Sequence, residues 1–164
     1  MNLYILTGHT KGLGRALAEQ LGARADVELI ALGRAADGDI PGGRQLAVDL
    51  ADARAIDAAF ERIEEAIAGR RYDKAVLVNN AGVVAPVGRM DDVPLEALER
   101  NLAVNFVAPI LVMRRFLPAL ADAAALRRVI NISSGAARRP ISPLCARSWR
   151  AKRTRAPIKM PPPP

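Results

Sequence analysis

Apolar positions along the chain change their period several times, and each change marks an element. Leu3, Tyr4, Ile5 and Leu6 form a short apolar run that ends at Thr7 and a glycine-punctuated turn, Gly8-His9-Thr10-Lys11-Gly12-Leu13-Gly14. The run predicts a strand over residues 2–6. Beyond it Leu13, Leu17 and Leu21 recur every fourth residue, a spacing that stripes one face of a helix over about residues 12–24. Residues 27–32 read as a second strand ending in Gly33-Arg34, and the Gly- and Asp-rich stretch 35–43 reads as a loop. Residues 45–50 predict a third strand. Asp52 is placed to cap a helix to about residue 68, with Ile56, Ala59, Phe60 and Ile63 on its buried face.

The second half continues the alternation. Ala75-Val76-Leu77-Val78-Asn79 is an unbroken apolar run, suited to a central parallel strand buried on both faces, and it exits through Asn79-Asn80-Ala81-Gly82. After a loop with Pro86, Gly88, Asp91 and Asp92, the pattern predicts a short helix over 94–99. A longer, very apolar helix follows over 102–117, with Val104, Phe106, Ile110, Leu111 and Met113, stopped near Pro118. Its apolar girth implies burial against a sheet or in a subunit interface. Residues 129–132 form a fifth strand, left through Ser133-Ser134-Gly135. The order β-α-β-β-α-β-α-β predicts an α/β fold. Its sheet is doubly wound and parallel around a central first strand, with ligands at the carboxyl ends of the strands. The glycine turn, Gly33-Arg34, Asp49, Asn79 to Gly82 and Ser133-Ser134 all fall at such ends.

Composition narrows the picture. A length of 164 residues suits one domain. No apolar run is read as long enough to span a bilayer and no basic-then-apolar leader opens the chain, so a cytoplasmic location is expected. Cys145 is the single cysteine and His9 the single histidine, which leaves no disulfide and no zinc ligand set; no metal is expected. The net charge of +7 is not spread evenly: residues 1–137 hold 16 Lys and Arg against 17 Asp and Glu, and the excess begins at Arg138. Residues 1–140 are therefore read as the domain and 141–164 as a basic, Pro-rich tail without a core of its own. Clustered arginines bind phosphates in a salt-dependent way, but the tail has one aromatic, Trp149, and no nucleic-acid motif, so that partner is a remote alternative.

The chemistry starts at the glycine turn. Glycine lets the backbone turn sharply and approach a ligand closely, while the free N–H groups and positive dipole end of the next helix favour an anion. Glycine turns are also ordinary loop punctuation; it is the clustering of polar motifs at the other strand ends that selects a nucleotide site.

Together these residues resemble the short-chain dehydrogenase/reductase family over about residues 3–140. Thr7-Gly8-x-x-x-Gly12-x-Gly14 resembles its cofactor loop, Asn79-Asn80-Ala81-Gly82 the motif after its fourth strand, Val104-Asn105 the asparagine of its long helix, and Ile132-Ser133-Ser134 its catalytic-serine segment. The resemblance implies a Rossmann-type domain that binds NAD or NADP through Thr7, Gly8, His9, Thr10, Lys11, Gly12, Leu13 and Gly14. Arg34, Asp49, Leu50, Asn80, Ala81 and Gly82 complete that site, with Asp49-Leu50 at the adenine ring. It implies hydride transfer to a small carbonyl compound, Ser134 polarising the carbonyl and Asn105 positioning a relay water. A structural hydrogen bond is the alternative for Asn105 within an apolar helix, and strand capping is the alternative for Asn79 and Asn80. At the end of the second strand, where an acid would meet free ribose hydroxyls, this chain has Arg34. With Lys11 it suits a 2′-phosphate, so NADP(H) is favoured over NAD(H); solvated surface cations are the alternative.

The resemblance breaks near residue 147. The family tyrosine, followed four residues later by lysine, is expected there, and this sequence has Arg147. Tyr4 and Tyr72 are the only tyrosines and both lie upstream; Ser148-x-x-x-Lys152 keeps the spacing with a poorer proton donor. Loss of a positioned acid costs on the order of 100- to 10,000-fold in rate. An impaired reductase is expected, or a non-catalytic dinucleotide-binding protein. Beyond Pro140 acids vanish and Arg, Pro and Ala dominate, which suggests a truncated gene or a changed frame. The sheet is then expected to be incomplete on its C-terminal side, with an exposed edge at the fifth strand that favours aggregation and puts the family's homo-oligomer in doubt.

Overall fold

The computed structural model describes residues 1–36, 40–85 and 87–133. Five strands, β1 (Asn2–Thr7), β2 (Val27–Gly33), β3 (Gly43–Ala47), β4 (Tyr72–Asn79) and β5 (Ala124–Asn131), pair side by side in the order β3-β2-β1-β4-β5. Every pairing is parallel, with Thr7 opposite Leu32 on one side and Asn79 on the other. The first strand is therefore central, as the sequence pattern predicts. Residues 1–132 form one compact unit; the domain boundary drawn at 140 and the tail 141–164 lie outside the described residues.

Side chains alternate across β1, so each face of the sheet needs its own cover. Leu6, Leu29, Ala31, Val76 and Val78 face α1 (Gly12–Gly22) and pack with Ala18, Leu17 and Leu21. Leu3, Ile5, Ile30, Leu32 and Leu77 face the other way, against α2 (Ala53–Ile67) and α4 (Ala108–Ala119). Helix α2 carries the predicted buried set, Ile56, Ala59, Phe60 and Ile63, and Ile67 extends it. Its N-cap is Asp52, whose carboxylate accepts the Arg54 backbone N–H at 2.8 Å.

Several element boundaries differ from the sequence reading: β4 and β5 begin at Tyr72 and Ala124, earlier than the expected 75 and 129. The third strand ends at Ala47; the Val48 N–H still bonds the Gly33 carbonyl of β2 at 2.7 Å, and Asp49 and Leu50 fall beyond the strand. The two helices predicted over 94–117 are one continuous helical rod. Helix α3 (Leu95–Leu102) passes through a π turn, Ala103–Val107, into α4. Pro109 has no N–H to give to the carbonyl of Asn105 four residues back, so an α-helical bond is impossible there, and the wider turn falls just before it. The rod Leu95–Ala119 has a mean hydropathy of 1.4 over its most apolar window and is long and apolar enough to cross a membrane by length and composition, contrary to the expectation of no such run. In the fold Val104, Ala108, Val112 and Phe116 are buried, while Leu102, Phe106, Ile110 and Leu117 on its outer face are exposed.

At the sheet margin Leu126, Ile130 and Ile132 remain 44%, 45% and 43% exposed, in line with the expected apolar edge. At the opposite end of the strands, Tyr72 donates its hydroxyl to Glu28 at 2.7 Å, and Arg70 holds the same carboxylate at 2.7 Å. Burial, then the bond to Glu28, pushes the phenol up to about 12. The neutral phenol is thus favoured by folding, so this contribution is complete below the ordinary value near 10 and is lost as pH rises toward 12. Tyr72→Phe is expected to cost about 1 kcal/mol at neutral pH and to flatten the alkaline fall in stability across that window, measured by urea unfolding at a series of pH values.

Candidate active site

The carboxyl ends of the strands enclose a cleft of about 370 Å³, beside the central strand where the chain leaves β1 for one face of the sheet and β4 for the other. Its floor is the turn after β1. The Gly8 N–H continues the β1–β2 ladder with a bond to the Leu32 carbonyl at 2.8 Å, and the φ of +74° at Gly8 turns the chain out of the strand. A Cβ on Gly8 would lie 2.7 Å from the Ala81 Cα, and one on Gly14 would lie 1.9 Å from the Gly8 carbonyl oxygen. Gly12, with φ +57°, faces open space. Helix α1 starts here with Lys11 at its N-cap, extended and without a side-chain capping bond, so the positive helix end opens on the cleft.

Leu13 departs from its predicted stripe: it is 56% exposed and lines the cleft, whereas Leu17 and Leu21 do pack on the sheet. The reason is the closeness of the helix start to the strands. Gly14 and Ala18 occupy the inward positions, and a leucine has no room there.

Thr7 and Asn80 lock this turn to the exit of β4. The Thr7 hydroxyl, 2% exposed, accepts the backbone N–H of Asn80 at 3.0 Å and of Ala81 at 3.1 Å. The Asn80 amide in turn donates to the Thr7 and Gly8 carbonyls at 3.2 and 2.9 Å. Asn79 donates to Asn131 at 2.9 Å and so ties β4 to β5. Both asparagines therefore make bonds at the strand ends, and Asn80 lines the cleft as well. Thr10, Ala81 and Gly82 also line it. Thr7 and His9 do not. His9 is 1% exposed, sits beneath Gly33, and its Nε2 meets Gln45 at 2.9 Å.

The far wall is charged. Lys11 and Arg34 line it, and neither is in an ion pair among the described residues. Asp49, beside Leu50, accepts the Ala51 N–H at 3.0 Å and is bridged by Arg100 at 3.2 and 3.1 Å. The Ala51 N–H first, then the Arg100 guanidinium and the charge of Arg34, hold this carboxyl below its ordinary range. Asn105, in the π turn, accepts the Val83 N–H at 2.8 Å and donates to the Val83 carbonyl and to Asn101 at 2.7 and 2.8 Å. Both its amide donors are thus engaged in structural bonds. Ser134 lies outside the described residues.

A family model described as short chain dehydrogenase matches residues 2–146. The chain belongs to the short-chain dehydrogenase family. It is 36% identical over 142 residues to a benzil reductase ((S)-benzoin forming) of Bacillus subtilis, a match that covers 85% of this chain and 58% of that enzyme. The chain thus spans a little over half the length of that relative. Among solved structures it is similar to a metagenomic short-chain oxidoreductase in complex with NADP, with a TM-score of 0.71 at 30% identity over 86% of this chain and 65% of the other. It is also similar to a short-chain family oxidoreductase from Brucella ovis in complex with a partially ordered NAD, with a TM-score of 0.70 at 28% identity over 92% and 72%.

The short-chain dehydrogenase motifs quoted from the sequence account for most of the cleft. Arg100, Val83 and Val48 line it too and were not singled out from the sequence, and Val104, quoted for the site only as the neighbour of Asn105, joins them. Arg100 has no local signal, since its partner Asp49 lies 51 residues away in the chain. Val83 could have been extended from the Asn80-Ala81-Gly82 motif, and Val104 from the Val104-Asn105 pair.

Proposed function

We propose that the cleft binds NADP(H) in preference to NAD(H), and that the protein this chain represents reduces a small carbonyl compound. The observation that carries the reading is the glycine cradle at the uncapped start of α1, with Lys11 and Arg34 beside it. Gly12 projects no side chain into the cleft, and Gly8 and Gly14 let the backbone close to a distance that any Cβ would fill. The cradle therefore fits a pyrophosphate, and the first turn of α1 would hold it. Lys11 and Arg34 would hold the 2′-phosphate through charge-assisted bonds, and Asp49, kept ionised, would accept from the adenine amine. The family neighbour with NADP is consistent with this choice, although the family also includes the neighbour with NAD. When bound, the nicotinamide supplies a hydride to the carbonyl carbon. The name of the Bacillus relative, a benzil reductase, supports a small diketone or similar carbonyl compound as substrate class.

A second reading concerns the chain as it stands. Its sequence has no Tyr-x-x-x-Lys after Ser134, and we infer binding without normal turnover, the missing proton donor costing about 100- to 10,000-fold. Titration of the full chain with NADPH and NADH, followed by nicotinamide fluorescence, tests binding and preference, and NADPH consumption with an added small diketone, expected to be at background, tests turnover. Wild type is expected to bind NADPH at least about tenfold more tightly, and Arg34→Asp to reverse the order by removing one charge-assisted contact and adding a repulsive carboxylate. Equal affinity for the two dinucleotides in wild type and variant refutes the charge argument.

A further inference from the structure

The cleft wall at Gly82 and Val83 has no strand or helix ladder to hold it. Among the described residues, segment 83–85 is tied to the fold by two side chains, Asn101 and Asn105, four residues apart and therefore on one face of the rod. Asn101 donates to the Val83 and Ala85 carbonyls at 3.0 and 3.2 Å, and its own carbonyl accepts the Asn105 amide at 2.8 Å. That last bond orients Asn105, whose carbonyl takes the Val83 N–H at 2.8 Å. Each amide satisfies what the other leaves open.

We propose that Asn101 is a positioning residue for the cofactor cleft: by clamping 83–85 and fixing the Asn105 amide, it holds the Gly82–Val83 wall in place before any dinucleotide arrives. The proposal rests on the dinucleotide reading of the cleft. A preformed wall spares the ligand the cost of ordering a loop, so loss of the clamp weakens binding without touching the ligand itself. Aspartate at 101 has the right size but no donors, and its carboxylate faces two carbonyl oxygens. Glutamine keeps the amide on a longer stem.

The test uses the full chain with Asn101→Ala, Asn101→Asp, Asn101→Gln, Asn105→Ala and the Asn101→Ala/Asn105→Ala pair. NADPH affinity and site-resolved amide exchange at Val83 and at Leu77, in the core of β4, are measured on each. Asn101→Ala and Asn101→Asp are expected to weaken NADPH about tenfold, the scale of one to two lost hydrogen bonds, and to speed exchange at Val83 with Leu77 unchanged. Asn101→Gln is expected to recover most of the affinity, and the double variant to lose little more than either single one. Wild-type affinity in Asn101→Ala, or unchanged protection at Val83, overturns the proposal. If wild type binds no dinucleotide while Asn101→Ala still frees Val83, the clamp stands and the dinucleotide reading falls.

Discussion

Gly14→Ala is expected to weaken NADPH binding by at least about 100-fold and to lower the stability of the fold by about 1–3 kcal/mol, the usual cost of forcing an added methyl into a packed site. The new Cβ would stand 1.9 Å from the Gly8 carbonyl oxygen and 2.4 Å from the Asn80 amide nitrogen. The first neighbour is backbone, so it yields only if the whole turn moves, and the second is the side chain that already bonds the Thr7 and Gly8 carbonyls. Relief of the clash therefore lifts α1 away from β1 and opens the cradle, which ties the loss of stability to the loss of binding. Fluorescence titration with NADPH and urea unfolding measure the two effects. An alanine variant that binds within threefold of wild type contradicts the close approach described here.

Thr7→Val is expected to be the most destabilising single change outside the apolar core, at about 2–4 kcal/mol. Valine matches threonine in shape but removes the acceptor shared by the Asn80 and Ala81 N–H groups. Thr7 is 2% exposed, so water does not readily replace that oxygen, and each stranded N–H costs about 1–3 kcal/mol. Thr7→Ser, which keeps the oxygen, is expected to stay within about 1 kcal/mol of wild type. Urea midpoints for the two variants settle the point: similar losses in both would mean that the methyl group, not the hydroxyl, stabilises the junction.

Both predictions concern residues that the sequence singles out, yet for different reasons. Gly8, Gly12 and Gly14 are legible because a backbone that must turn sharply and receive a helix close behind it leaves no choice of residue. Thr7 was read as a residue of the cofactor site, and the structure shows it beneath the cleft, bonding the exit of β4. The buried stripe on α2 was legible for the simple reason that a helix of ordinary length against a sheet shows its period directly. The stripe on α1 was misread at Leu13, since hydrophobicity says nothing about how close a helix start must come to its strand. The rod Leu95–Ala119 was divided in two at residues 99–102, where the polar Glu99-Arg100-Asn101 gives way to an apolar stretch, and such a change of composition reads as a boundary although the helical backbone runs on.

Sequence alone determined the order of elements, the parallel sheet and the strand ends at which polar motifs collect, because periodicity and turn chemistry act over a few residues and need no distant partner. It also set the choice of glycine at the cradle and of Arg34 after β2. Only the tertiary structure decided that Arg100 bridges Asp49, that His9 turns inward to Gln45 and away from the cleft, and that Asn101 and Asn105 clamp 83–85. Those contacts join residues 16 to 51 positions apart. Their energy exists only once the sheet has brought the strand ends together, so no local pattern records them.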